Sequence, residues 1–574
     1  MDKVYQVKLD VDDFIAKNTD KYEIISSFQD QINHITADTY QSTVQYIKNN
    51  SEVLFKNKES SLIFFYCLYH FSLYNYKQLE LILDLAIEFS CEMRNNGLTD
   101  IDFIAICSYF INSLNYLFYK KLISIESIIQ HSYQNKILFI NFYPEIEQYD
   151  PEYANMRSEL LFNDFDQENE ELRNFFKLIK SNPQEHIENR NKNYHPSKLH
   201  KSIREDDIET FQELLSQNNY TVNHKIEHSY YERTSTCDRN VSLIQIAAVY
   251  GSIKVFKFLW MQNDIILDDN LQFYTYSGRN FEIIHICEEK CPFLNAIDFA
   301  INTHQNELVD YFLDNFQEEN EEDESLENVE EDDNPYKNLS KKSLQQALKS
   351  LNYKIILPSL KRIVNIVNNT EGKENKNAWI MFFRPERVML ESCLFDLDLF
   401  KFIYNLNRER YISIDSNTQI YSHALFTGAY DAVRYMLNQS DKKFLFDYFG
   451  RFLRSDTHAA DMILDILDQE EYKGNFIIPV IDFESDLFYD TLKKYNENVV
   501  AKMICKFKWT HKMQNKFRKE SLNYLSPKMI VSLCRNLSST VDKKTLSNFV
   551  DFYISHIRNE EFKSNLVEIK NLLY

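Results

Sequence analysis

Glycine supplies only seven of the 574 residues of this chain, whereas a typical protein carries roughly 7%. Tight β-hairpins depend on residues that tolerate positive φ, glycine first among them. The ten prolines add little further punctuation. An all-β protein of this length is hard to build from such a sequence, so the expected fold class is all-α. The same scarcity restricts chemistry. No two glycines lie within six residues of one another, which excludes the G-x-G-x-x-G dinucleotide loop, the P-loop, the kinase glycine loop and the G-x-S-x-G elbow. No cofactor is expected.

The stretch Ser242 to Trp260, SLIQIAAVYGSIKVFKFLW, places one glycine between a paired alanine and a helically spaced apolar run. Taking Gly251 as reference, Phe256 lies five positions on and Leu259 eight on. The same ruler applied from Asp206 meets Phe211 and Leu214; from Arg279, Ile284 and Cys287; from His304, Val309 and Phe312. Farther on, Phe395 leads to Phe400 and Ile403, Gly428 to Val433 and Met436, His458 to Ile463 and Ile466, and Tyr495 to Val500 and Met503. Four positions before the reference stand the small residues Ser202, Ala247, Thr275, Ala300, Ala424 and Thr491; Glu391 and Arg454 break the rule. A small residue on a first helix lets a neighbour approach, and the second helix buries its i, i+3 stripe. No such unit buries its face alone, so units are expected to stack.

These residues resemble the second half of the ankyrin signature: a paired alanine, two variable residues, glycine, then a helix rich in Val and Leu. Gln245 stands where that family has histidine, and Ser242-Leu243-Ile244 where it has Thr-Pro-Leu. SHALFTGAYDAVRYML, from Ser422, is a looser match. The order of segments from Leu199 to Phe316 is similar to a large family of divergent ankyrin-like proteins that some protists carry in many copies, with a helical region before the repeats. The resemblance implies an ankyrin-like helical solenoid. Most copies lack the Thr-Pro-Leu-His start and the glycine-rich finger through which ankyrin proteins commonly hold partners.

The length suggests several domains or an extended array. Glu318 to Asp333 holds 11 acids and no base, half of the net charge of −22. Such a block repels itself and stays solvated. It marks an acidic linker over 317–336, between an ankyrin-like block at 198–316 and a second degenerate helical block at 337–574. A helical N-terminal region, 1–150, and a polar connector, 151–197, come first. The acidic balance disfavours nucleic acid as a partner. Nine scattered cysteines and a charged N-terminus without an apolar core read as reduced thiols in a cytoplasmic or nuclear protein. The apolar stretches 60–76 and 103–119 read as buried helices rather than membrane spans.

Three clusters invite a chemical reading. His224 to His228, HKIEH, matches the H-x-x-E-H zinc pattern, which needs a helix; its polar, extended-looking flanks argue for loop histidines, and no metal is expected. Cys287 and Cys291 lie four apart, near His285 and His304, yet Cys287 sits at an apolar stacking position and reads as a small buried hydrophobe. Lys508, Lys512, Lys516 and Lys519 form a basic stripe beside Trp509, Met513 and Phe517, suited to an anionic membrane or an acidic protein.

The expected function is a non-catalytic protein–protein interaction scaffold. Two alternatives stand beside it. One is an enzyme whose site lies in the N-terminal region, among Cys67, Cys91, Cys107, His34, His70 and His131. The other is a membrane-surface tether acting through the basic stripe. In an ankyrin-like register the two residues before each turn face outward: Arg204 and Glu205, Val249 and Tyr250, Asn302 and Thr303, Phe426 and Thr427. Of these, Val249, Tyr250, Asn302, Thr303, Phe426 and Thr427 are the expected contacts for a protein partner, with Tyr250 and Phe426 foremost because exposed aromatics favour interfaces.

Overall fold

The computed structural model describes residues 2–107, 111–132, 135–164, 170–192, 194–227, 229–232, 240–268, 271–288, 296–315, 339, 341–359, 395–408, 420–421, 424, 429–438, 522, 527–538, 543–557 and 560–571. The described residues are overwhelmingly helical. Their only strands are Lys225–Ile226 and Val241–Ser242, an antiparallel pair with Lys225 opposite Ser242 and Ile226 opposite Val241. The all-α expectation holds. No described helix is long and apolar enough to cross a membrane. The apolar stretch from Ser60 forms part of the helix Lys58–Tyr74, whose residues 60–72 are all buried.

The chain divides into two compact units. One comprises Met1–Leu122 with Glu188–Ala424, the other Ile123–Ile187 with Leu425–Tyr574. Residues 1–122 fall in the same unit as the helices of 188–424. The acidic run lies outside the described residues, but the elements on either side of it share a unit, and Ala296–Asn302 packs against Lys341–Ser350 across it.

Within the first unit, helices come in pairs: Lys198–Arg204 with Ile208–Gln217, Leu243–Val249 with Ile253–Trp260, Leu271–Gly278 with Phe281–Glu288, and Ala296–Asn302 with Asn306–Asn315. A fifth pair is Lys341–Ser350 with residues 353–359. First helices pack on successive first helices through all five pairs, and second helices do so through the first three. Every turn carries a left-handed residue. The reference positions Asp206, Gly251, Arg279 and His304 have φ of 53°, 60°, 53° and 55°, and Leu351, which the ruler missed, has 55°. Only one of the five is glycine, so four turns hold a conformation that costs an L-residue about 1–2 kcal/mol.

What holds four of the five turns is a repeated hydrogen bond. The amide after the left-handed residue reaches back to the carbonyl of the small residue: Asp207 to Ser202 (2.9 Å), Ser252 to Ala247 (2.8 Å), Gln305 to Ala300 (2.9 Å) and Asn352 to Ala347 (2.8 Å). This is the bond that closes a Schellman-type helix end. The amide's own residue then starts the second helix. Asp207 and Asn280 accept from the amides of Thr210 and Ile283 at 3.1 and 3.3 Å, satisfying donors that a helix start leaves unpaired. The stripes five and eight positions on are buried: Phe211, Phe256, Leu259, Ile284, Cys287, Val309 and Phe312, with Leu214 partly so. Ala247 is fully buried. Ala247→Leu is therefore expected to destabilise the protein by about 1–3 kcal/mol, read as a lower melting temperature by circular dichroism; an unchanged curve would contradict this packing.

The second unit contains, among its described residues, the helices Ile125–Ser132, Lys136–Asn141, Tyr143–Tyr149, Pro151–Asp164, Glu170–Ser181, Tyr430–Asn438, Pro527–Ser538, Lys543–His556 and Glu560–Asn571. The Lys528 ammonium lies 3.1 Å over the Tyr149 ring.

Candidate functional site

In the first unit, two N-terminal helices, Asp2–Asn33 and Lys58–Tyr74, meet the turn ends of the fourth and fifth pairs. Helix C-termini leave carbonyls without intrahelical donors. Side chains of the N-terminal helices supply some of these. Gln29 Nε2 donates to the Leu351 carbonyl at 2.7 Å, the Tyr66 hydroxyl to that of Lys349 at 2.8 Å, and His70 Nε2 to that of Asn302 at 2.6 Å. His304, in the turn itself, donates from Nε2 to the Ser350 carbonyl at 2.9 Å. Arg279 bonds both the Thr303 carbonyl, at 2.8 Å, and Asn33. Rings fill the space between, with Tyr66 stacked on Phe395 and Tyr22 on Tyr353 at centroid distances of 4.2 and 4.6 Å.

At one end of this seam lies the densest charge cluster among the described residues. Asp396 caps the helix Leu397–Arg408: its Oδ1 accepts from the Leu399 amide at 3.1 Å, and its Oδ2 accepts from the Tyr353 hydroxyl at 2.8 Å. The Asp398 amide donates to Glu59 Oε1 at 2.9 Å. Oxygens of Glu59, Asp396 and Asp398 all lie within 4.8 Å of one another. Lys21 Nζ stands among them, 3.2 Å from Asp398 and 3.9 Å from both Asp396 and Glu59. A helix N-terminus favours negative charge, so the sequence Asp396-Leu397-Asp398 is locally sound.

Burial opposes the Lys21 charge, but the carboxylates of Asp396, Asp398 and Glu59 outweigh it and hold the pKa above the ordinary lysine value. Burial pushes Glu59 up to about 7; Lys21 pulls it down and the two aspartates push it up. Burial and then the Asp396 charge raise both Tyr22 and Tyr353 well above the phenol range. Carboxylate oxygens are the hard ligands that Ca2+ or Mg2+ takes, in a shell of about six or more. Here an ammonium already stands among them, and a metal would have to displace it. The cluster as built is an internal ion-pair knot joining three helices.

A second knot surrounds Tyr250. The Tyr250 hydroxyl donates to Glu232 Oε1 at 2.6 Å, and His200 Nε2 lies 2.9 Å from Glu232 Oε2. Asn112 donates to the Glu232 carbonyl at 2.7 Å, and His195 stacks on His200 at 4.8 Å. All three central side chains are buried.

These knots overturn the outward-facing assignment. Val249, Tyr250 and Thr303 are at most 1% exposed, and Asn302 is half-buried, donating to the Tyr74 hydroxyl at 3.0 Å. Other parts of the chain lie over this face: Glu232 covers Tyr250, and Tyr74 and His70 cover Asn302. Glu205 is exposed and Arg204 partly so. Phe426, Thr427 and the basic stripe 508–519 lie outside the described residues.

The remaining candidates do not converge. Within HKIEH, Lys225–Ile226 is strand, so no helical turn aligns a ligand pair. His285 pairs with Glu288 at 2.8 Å, whereas His304 faces His70; Cys287 is buried and Cys291 lies outside the described residues. His34 bonds the Asp30 carbonyl, and His131 that of Ser127. Cys91 is exposed. Burial pushes the Cys67 thiol up to about 12 and raises Cys107 as well. A buried thiol held protonated is a poor nucleophile. The carboxylate knot escaped sequence reading because its members come from residues 21, 59 and 396–398. The one local clue was an Asp-x-Asp at a helix start.

Compared with known proteins, the chain matches no family model, no curated protein and no solved structure.

Proposed function

We propose that this chain is a non-catalytic protein-interaction scaffold, built from ankyrin-like helix pairs stacked as a helical solenoid and working in the cytoplasm. The observation that carries the reading is the same left-handed turn at Asp206, Gly251, Arg279, His304 and Leu351, in pairs whose first helices pack in series. A protein built by repetition presents a long surface of repeated edges, suited to holding another chain.

The inner ends of the first helices are covered, so the contact surface moves to the opposite, loop edge. There, Asn223 joins adjacent loops by donating to the Asp264 carbonyl at 2.7 Å and accepting from the Ile266 amide at 2.9 Å. Met261 and Ile266 are 79% and 71% exposed on this edge, with Tyr220 nearby in sequence to Asn223 and also exposed. Large apolar side chains so open to water are costly to keep without a use. The test compares wild type with Met261→Glu/Ile266→Glu as bait in the source cell. Partner recovery is expected to fall at least about tenfold, as for loss of interface anchors, with an unchanged melting temperature. Equal recovery of the same partners would remove this edge from the reading.

A further inference from the structure

The middle of the seam between the Lys58–Tyr74 helix and the fourth and fifth turns holds two histidines and, among the described residues, no counter-charge. The His70 and His304 rings meet edge to face at 5.4 Å, and Phe71 covers His304 at 4.6 Å. A carbonyl only accepts, so the bonds to Asn302 and Ser350 place the proton of each neutral ring on Nε2. A second proton would go to Nδ1, and His304 Nδ1 is buried without a hydrogen-bond partner. Among the described residues, the charged groups acting on the pair are Arg279, from the third turn, and Lys349, from the fifth pair, and no carboxylate is among them. The other ionisable neighbours are Tyr66 and Tyr74 of His70's own helix. Gln29 and Asn33 of the first helix add only neutral amides.

We propose that this junction is an acid-operated clasp: when His70 and His304 take up protons, the Lys58–Tyr74 helix releases the turns at His304 and Leu351. A cation at either ring would be buried beside a second imidazole and within the field of Arg279, with Lys349 acting on His70 as well. Release into water relieves all three. The clasp stands whether or not the loop edge binds a partner.

The direction follows from proton linkage. Burial lowers His70 to about 4 and His304 well below its ordinary value, with each ring's cationic neighbours adding to the effect. Once released, both return toward about 6.5. The released form therefore binds more protons below pH 6.5, and closure weakens as pH falls from there toward 4. At pH 5.5 the shift is about tenfold for each histidine and about 100-fold for both. Glu59, at the other end of the same helix, works in the opposite sense. Its pKa is raised to about 7, so its contribution is present in acid and lost as pH rises through 7. A global melting curve mixes the two ends, and the measurement must be local.

Hydrogen exchange on the full chain supplies it, with peptides covering 68–74 and 300–306 compared at pH 7.5 and 5.5 after correction for intrinsic rates. Protection in these peptides is expected to drop at least about tenfold in acid. The His70→Gln/His304→Gln variant, whose amides can donate to the same carbonyls but do not titrate, should lose that response. Unchanged wild-type protection would overturn the clasp, as would an undiminished response in the variant. Should the variant not fold, exchange of the imidazole C2 hydrogens in the wild type decides: half-points well below 6.5 support the clasp, and half-points near 6.5 refute it.

Discussion

Gly278→Ala should unfold the second and third helix pairs at temperatures where the native chain is intact. A Cβ at this position would lie 1.9 Å from the Ala248 carbonyl oxygen and 3.1 Å from the Gly251 nitrogen. Real Cβ atoms do not approach so closely, and the obstacles are backbone, which cannot rotate away. Helix propensity pulls the other way, since alanine is favoured over glycine in a helix by about 1 kcal/mol. The clash wins, because separating two packed helices disturbs every contact along them; the net loss should be roughly 3 kcal/mol or more. Gly97→Ala makes a fair control. Gly97 has a φ of 93° but nothing within 4 Å of a new Cβ, so it should cost only the backbone term, about 1–2 kcal/mol. Denaturant midpoints at constant slope give both numbers. If Gly278→Ala proved no worse than Gly97→Ala, the close approach of the helices Leu243–Val249 and Leu271–Gly278 would be wrong.

The second large effect is expected at Asp396. Asp396→Ala removes a helix cap, leaves the buried Tyr353 hydroxyl without its acceptor, and takes one of three carboxylates from Lys21. Breaking a buried charged network of this kind costs about 3 kcal/mol. Asp396→Asn keeps one oxygen, which can still accept from the Leu399 amide, and its NH2 can donate to the Tyr353 hydroxyl oxygen in place of the lost acceptor, so it should cost less. It also carries a titration signature. The Asp396 charge helps to hold Glu59 up at about 7, so Glu59 should titrate lower in Asp396→Asn, and its loss of stability with rising pH should be smaller and end at a lower pH. Carboxyl NMR on Glu59 would register this shift. A Glu59 titration indifferent to the substitution would separate the two side chains and dissolve the knot.

Much of the helix-pair geometry was legible in residues. Asp206, Gly251, Arg279 and His304, found by spacing alone, carry the left-handed φ, and Ser202, Ala247 and Ala300 supply the carbonyls that close three of these four turns. Leu351 escaped because the acidic run breaks the interval and because leucine is an improbable left-handed residue. Its neighbours repeat the rule: Ala347 is four positions earlier, and Asn352 follows directly. A polar residue after each reference position, Asp207, Ser252, Asn280, Gln305 or Asn352, was the stronger signal. The carboxylate knot had no comparable signature, since its charges meet only when the Asp2–Asn33 helix lies beside residues 396–398.

Tyr250 marks the line between the two kinds of information. By itself the sequence determined that helices form, where they turn, and which stripe of each second helix is apolar, because glycine content, periodicity and turn closure act over a few residues. It also determined that Tyr250 stands just before a turn. Only the tertiary structure decided that Glu232 would meet its hydroxyl, and that Gln29, Tyr66 and His70 would cap the carbonyls of Leu351, Lys349 and Asn302. Those pairings join residues more than 200 positions apart, apart from Tyr250 and its near neighbour Glu232. A carbonyl at a helix end accepts from any donor placed before it. Local spacing therefore specifies the vacancy, and the packing of the whole unit chooses which side chain fills it.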